Sequence, residues 1–97
     1  MPRASLSFAE SAVLDLEAVI AWYEEQGVPQ VGRRLVEEVL NRIEALADHP
    51  ELGRMVLEFG QAFLRELIHP PFRIVYRPDP GQVRVVRVWR SERLMKE

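Results

Sequence analysis

Apolar positions recur with two different periods along the chain, and the change falls near residue 50. Residues 3–8 (Arg-Ala-Ser-Leu-Ser-Phe) read as a short first strand. Ser7 and Glu10 then have the spacing of a capping box, in which each side chain bonds the other's free backbone N–H. Val13, Leu16, Ile20 and Tyr23 fall on one helical face, while Asp15, Glu17, Glu24 and Glu25 lie largely elsewhere. Val19 and Trp22 widen the apolar surface. This pattern predicts an amphipathic helix over 9–26, with Gly27 as its stop and Pro29 in the first turn of the next helix. The second helix is predicted over 29–47, with Leu35, Val39, Ile43 and Leu46 as its buried stripe. Glu38 and Arg42 form an i,i+4 pair of favourable polarity, and Asp48-His49-Pro50 stops the helix.

After residue 50 the period falls to two. Met55-Val56-Leu57 is either extended or a docking segment. Residues 63–68 alternate, with Phe63, Arg65 and Leu67 opposite Leu64, Glu66 and Ile68. Pro70-Pro71 breaks that run. Residues 72–77 (Phe-Arg-Ile-Val-Tyr-Arg) make a strong strand with Phe72, Ile74 and Tyr76 on one face. Asp79-Pro80-Gly81 is a turn signal, and residues 83–89 are rich in β-branched side chains. Consecutive strands with short links predict an antiparallel meander. The class is therefore α+β, one domain over 1–97, with a helical hairpin burying its stripe on one sheet face. The opposite face is expected to carry Arg65 or its neighbours, the strand register deciding which.

Composition narrows the chemistry. At 97 residues the chain has no room for a nucleotide-binding domain plus a second domain. Cysteine is absent, which excludes disulfides, thiolate catalysis and Cys-type zinc sites. Two histidines, His49 at a helix end and His69 in a Pro-rich turn, make no metal motif, and no cofactor signature is present. Gly27, Gly53 and Gly81 read as turn glycines and not as a phosphate loop. No apolar run approaches the ~18 residues of a membrane span, and the first residues lack a signal-peptide h-region, so a cytoplasmic protein is expected. The net charge of −2 conceals an asymmetry. Residues 1–50 carry 4 basic and 9 acidic groups, residues 51–97 carry 9 basic and 6 acidic groups, and 12 of the 13 basic residues are Arg. A guanidinium grips a carboxylate or phosphate with a rigid donor fork, but this total charge does not demand a nucleic-acid partner.

Several features in order along the chain carry a family resemblance. They are Asp15-Leu16 followed by Ile20 and Tyr23, Pro29 at the second helix, and Pro50-x-x-Gly53-Arg54. Arg65-Glu66-Leu67 and Phe72-Arg73-Ile74-Val75-Tyr76-Arg77 come next, then Val85-x-x-Val88-x-Arg90-x-x-Arg93. With these the sequence resembles the ParE/RelE toxin superfamily of bacterial toxin–antitoxin systems, also called plasmid stabilisation proteins, over nearly its whole length. The resemblance implies a β-α-α-β-β-β fold and a toxin neutralised by a cognate antitoxin, in a possible hetero-oligomer.

The two branches of that superfamily act differently. RelE-like members are ribosome-dependent mRNA endoribonucleases, and ParE-like members poison DNA gyrase. RNA cleavage needs a base, an acid and positive charge at the phosphate. RelE-like nucleases resemble one another in a tyrosine or histidine near the C-terminus, whereas this chain has no Tyr after Tyr76 and no His after His69. Arg90 stands where the last family motif usually has His, and a group with a pKa above about 12 is a poor proton shuttle. The ParE-like reading is favoured: a gyrase inhibitor and not a catalyst, with no sequence-specific DNA binding of its own. Arg65, Arg77, Arg90 and Arg93 are then the target-binding candidates, and Trp22 and Trp89 the partner-binding candidates. Under the nuclease alternative Arg65 and Arg54 would hold the phosphate, and Glu58 or His69 would move the proton. A non-toxic antitoxin-binding protein of the same fold is the third reading. Tyr76 reads as a core residue whose hydroxyl reaches an edge, and His69 as solvent-facing.

Overall fold

The switch of period translates directly into architecture. A computed structural model of the chain describes residues 3–56 and 61–90. In chain order the elements are β1 (Ser5–Phe8), α1 (Glu10–Glu25), α2 (Pro29–Ala45), β2 (Arg54–Val56), β3 (Gln61–His69), β4 (Phe72–Asp79) and β5 (Gln82–Arg90). They form one five-stranded sheet in the order β1-β5-β4-β3-β2. The predicted antiparallel meander is β3-β4-β5. Two strands extend it. β1 joins β5 in parallel, from Ser5 opposite Gln82 to Phe8 opposite Val85. β2, left open by the sequence as extended or docking, pairs antiparallel with β3, and Leu57 lies outside the described residues. The hairpins turn through two residues each, Pro70-Pro71 between β3 and β4 and Pro80-Gly81 between β4 and β5.

The helices pack on one sheet face. Val39, Ile43 and Leu46 of the second helical stripe are buried, with Leu35 packed against them, as the periodicity predicts. Their partners from the sheet are Leu67, Phe72, Ile74, Tyr76, Val83, Val85 and Val88. In α1 the inward stripe is shifted from the expected one. Ala12 is fully buried and Leu16 and Val19 pack on the core, while Val13 is 40% exposed. The shift arises because the helix lies along β5 more than over the centre of the sheet. Gly27 ends α1 in the left-handed region (φ 79), which lets the chain reverse into Pro29.

The expected capping box does not form. Ala9 is the N-cap of α1 and makes no side-chain cap. Pairing with β5 continues through Phe8, so Ser7 is still in a strand, and its Oγ accepts hydrogen bonds from Gln82 and Arg84. The Glu38–Arg42 pair is also replaced. Glu38 lies 3.8 Å from Arg34, one turn earlier, and 3.3 Å from His69 on the β3–β4 hairpin.

β1 is too short to cover β5, and α1 takes over where it stops. The Ala9 N–H donates to the Val85 carbonyl (2.8 Å), and the Ser11 hydroxyl donates to the Val86 carbonyl (2.6 Å). The Val88 N–H then donates to the Asp15 carboxylate (2.8 Å). Polar groups from a helix thereby occupy an edge that would otherwise template strand addition. Arg87 closes the arrangement by donating to both Asp15 oxygens (2.8 and 2.9 Å). That bond holds the Arg87 pKa above its ordinary value, against the opposing effect of burial.

Asp15→Ala removes three charge-assisted bonds and leaves the Val88 N–H without its acceptor. Urea denaturation should show a loss of roughly 2–3 kcal/mol. Asp15→Asn, which still offers an oxygen to Val88, should lose less.

Candidate functional site

The sequence candidates fall into three groups once the strands are in register. The first surrounds Tyr76. This side chain is fully buried, and its hydroxyl donates to the Pro50 carbonyl (2.8 Å) while accepting from the Gly53 N–H (2.8 Å). Arg65, directly opposite Tyr76 across β3 and β4, donates to the Gly53 carbonyl (2.7 Å) and reaches the Glu51 carbonyl (3.5 Å). Gly53 is pressed so closely against the sheet that a Cβ would lie 2.4 Å from the Glu66 carbonyl and 2.8 Å from the Tyr76 hydroxyl. The Pro50–Gly53 segment is thus latched to the end of the sheet by a phenol and a guanidinium. Burial pushes the Tyr76 phenol above its ordinary 10.0, and Glu51 adds to the effect; the Gly53 N–H and Arg65 oppose it. A neutral, doubly bonded phenol is a structural donor and not a general base.

The second group lies on the sheet face away from the helices. Arg54 and Glu66 are direct partners across β2 and β3, and the Arg54 Nε donates to Glu66 (2.7 Å). The Arg73 Nε donates to the other Glu66 oxygen, and both side chains are buried. Glu66, and not Arg65, therefore faces this side, because Arg65 shares the helix-side face with Tyr76. A carboxylate held between two guanidiniums offsets the positive charge that a phosphate would need there.

The third group is at the end of β5. Arg90, one of the target-binding candidates, is half-buried. Its guanidinium carbon lies 5.8 Å from the Phe72 ring centroid and 5.9 Å from that of Trp22, and it reaches the Tyr23 hydroxyl at 3.5 Å. Trp22 keeps 50% of its surface exposed. Trp89 is half-buried, with the Arg87 guanidinium 4.6 Å from its ring centroid. Arg77 is exposed and donates to Asp79 (3.1 Å). Arg93 and Glu58 lie outside the described residues.

The described nuclease candidates, Arg54, Arg65 and His69, do not converge. Arg65 and Arg54 point to opposite sheet faces. His69 is not solvent-facing as expected: its side chain is 24% exposed, and it sits by Glu38 of α2, because the hairpin carrying it folds down onto that helix. It is four residues from Arg65 along β3, about 13 Å at strand rise. Among the described residues no group of three or more His, Cys, Asp or Glu side chains could hold a metal ion.

Asp15, Glu66, Arg73 and Arg84 organise these surfaces and were not sequence candidates. A signal was present for Arg73. The alternation that sends Phe72, Ile74 and Tyr76 inward sends Arg73 and Arg77 to the far face. Placing Arg84 and Glu66 beside them requires the pairing across strands.

Comparison with known proteins gives this geometry its context. Residues 6–95 match the family model described as the ParE toxin of type II toxin–antitoxin system, parDE. The chain belongs to the ParE toxin family. No curated protein matches the sequence significantly. Among solved structures, the fold is similar to a chain of the chromosomal ParDE system from P. aeruginosa, with a TM-score of 0.77 and 20% identity over 91% of this chain and 96% of that one. It is also similar to a chain of the toxin–antitoxin complex RelBE2 from Mycobacterium tuberculosis, with a TM-score of 0.67 and 20% identity over 93% of each. At that identity the likeness concerns the fold: two helices on a five-stranded, mostly antiparallel sheet. Several residues on which the sequence resemblance rests have a structural task in this ParE-family chain. Pro50, Gly53, Arg65 and Tyr76 build the latch, and Asp15 seals β5.

Tyr76→Phe should cost about 1–3 kcal/mol in urea denaturation, since it strands the Gly53 N–H and the Pro50 carbonyl. The pH dependence has a definite sign. The unfolded chain ionises this phenol near pH 10.0 while the folded chain resists, so the unfolded state binds fewer protons above that pH. The contribution of Tyr76 is complete below pH 10.0 and falls as pH rises through the higher folded value. Wild type should therefore lose stability relative to Tyr76→Phe above that point.

Proposed function

We propose that this ParE-family chain is a toxin that blocks growth by acting on DNA gyrase, without cleaving nucleic acid, and that an antitoxin neutralises it in the cytoplasm. The observation that carries the non-catalytic part is the separation of Arg54, Arg65 and His69. Arg54 and Arg65 lie on opposite sheet faces and His69 about 13 Å from Arg65 along β3, so these three do not meet at one phosphodiester. The buried Glu66 between Arg54 and Arg73 supports the same reading. Family membership supports the gyrase target, which belongs to the ParE-like branch that the sequence resembles.

Exposed apolar side chains support the antitoxin partner. Leu14 and Trp22 stand out from α1, Leu40 from α2, and Met55 and Phe63 from the β2–β3 edge. Scattered singly such residues are ordinary, but a 97-residue chain with this many large apolar groups in water gains from a partner that covers them. The solved relatives come from toxin–antitoxin systems, one of them as a complex. Trp22 is an anchor for that partner on the helical side, and Trp89 on the far face.

Plasmid DNA incubated with gyrase, ATP and the protein tests the target. Inhibited supercoiling or a trapped cleaved complex is expected. Normal supercoiling combined with ribosome-dependent mRNA cuts, lost in His69→Ala or Glu58→Ala, overturns the gyrase reading in favour of the nuclease. Absence of both activities and of growth arrest points to a non-toxic binding protein. The product of the neighbouring gene should bind with a dissociation constant below about 1 μM, and Trp22→Ala should weaken that binding.

A further inference from the structure

We propose that Arg77 and Arg84 form a clamp for carboxylates of an acidic polypeptide partner, on the sheet face away from the helices. The register places these residues directly opposite each other across β4 and β5. Their neighbours in the two strands, Tyr76, Val83 and Val85, are fully buried in the core, so both guanidiniums project from the far face. Direct cross-strand partners have Cβ atoms about 5 Å apart, and like charges at that spacing oppose each other.

Elsewhere on this face such charge is matched. Arg54 and Arg73 share Glu66, and Arg87 is held by Asp15. Arg84 is different: the described residues give it no carboxylate. Its Nη1 donates to the Ser7 hydroxyl oxygen (3.2 Å), which also accepts from the Gln82 amide (3.4 Å). Arg77 engages Asp79 through Nε alone (3.1 Å) and is exposed, leaving its two terminal amino groups to solvent. Ser7, Arg84 and Arg77 thus form one row across β1, β5 and β4. Two guanidinium forks and a hydroxyl whose oxygen already accepts two bonds present donors to a single oxyanion.

The surroundings favour a protein carboxylate over a nucleic-acid backbone. A polyanion is held by neutralising many phosphates along a track. Here the row is short, Asp79 flanks it, Glu66 offsets the centre of the same face, and the chain is net acidic at −2. One or two carboxylates fit that geometry. The clamp lies on the opposite side of the sheet from Trp22 and on the same face as Trp89, and its partner is defined by an acidic segment that reaches this row.

The test uses the full chain, labelled for NMR, at low salt. An acetylated decapeptide of glutamate is titrated against it, and a ten-nucleotide single strand serves as the competing probe. The peptide should shift the Nε–H resonances of Arg77 and Arg84 selectively, and R77Q/R84Q should bind it about tenfold more weakly. R33Q/R42Q, which removes the same charge from α2, should bind as wild type does, which separates a site from net charge. Free R84Q should melt slightly above wild type, because it relieves a repulsive pair. Absence of shifts at Arg77 and Arg84, equal weakening in R33Q/R42Q, or preference of those resonances for the oligonucleotide would each overturn the clamp. Melting curves confirm that the variants compared are folded.

Discussion

One buried hydroxyl joins the two halves of this chain. The helical hairpin and the meander are each locally determined, but the connection between them must turn from the end of α2 to the edge of the sheet. Tyr76 fixes that turn by bonding Pro50 on one side and Gly53 on the other. The phenol is fully buried, so both bonds form where water cannot compete and where a missing partner would be costly. Arg65 adds a charged donor to the same segment, and β2 can then pair with β3 because Gly53 lets the backbone approach closely. The start of β2, the position of Arg54 and its contact with Glu66 all follow.

Arginine serves mainly as structural mortar in this protein. Arg87 binds Asp15, Arg54 and Arg73 bind Glu66, Arg65 binds backbone carbonyls, and Arg90 lies near the rings of Trp22 and Phe72. The basic second half of the sequence is thus largely consumed within the fold, partly by acids of the first half. Among the described arginines of this half, the charge left over lies at the β4–β5 turn end of the far face, in Arg77 and Arg84, and it is there that a partner's acid would find donors.

The functional reading follows from this division. Among the described residues His69 sits by Glu38 and away from Arg54, and the Tyr76 phenol is neutral and bonded at both sides, which supports the non-catalytic reading proposed above. The fold is well built for recognition, with apolar groups on the helices and at the β2–β3 edge and a rigid sheet behind them. Inhibition by binding asks for shape and charge alone, and small rigid domains supply both.

The sequence by itself determined the elements, because their cause is local. Periods of 3.6 and 2, Gly27 and Pro29 between the helices, and Pro70-Pro71 and Pro80-Gly81 between the strands are written in consecutive residues. It also determined the stripe of Leu35, Val39, Ile43 and Leu46, and the inward face of Phe72, Ile74 and Tyr76. The tertiary structure decided what depends on pairing between distant residues. The parallel seat of β1 on β5 took Ser7 away from its helix cap, since a hydroxyl in a strand bonds across the sheet and not along the chain. The lateral placement of α1 along β5 turned its buried stripe from Val13 towards Ala12 and made Asp15 an edge seal. The register of β2, β3 and β4 decided that Arg65 takes the helix side and Glu66 the far face, a choice that alternation alone leaves open. Side chains alternate faces along a strand, so adjacent candidates cannot share a site unless the fold brings their partners to both sides, and only the three-dimensional pairing shows which side each one serves.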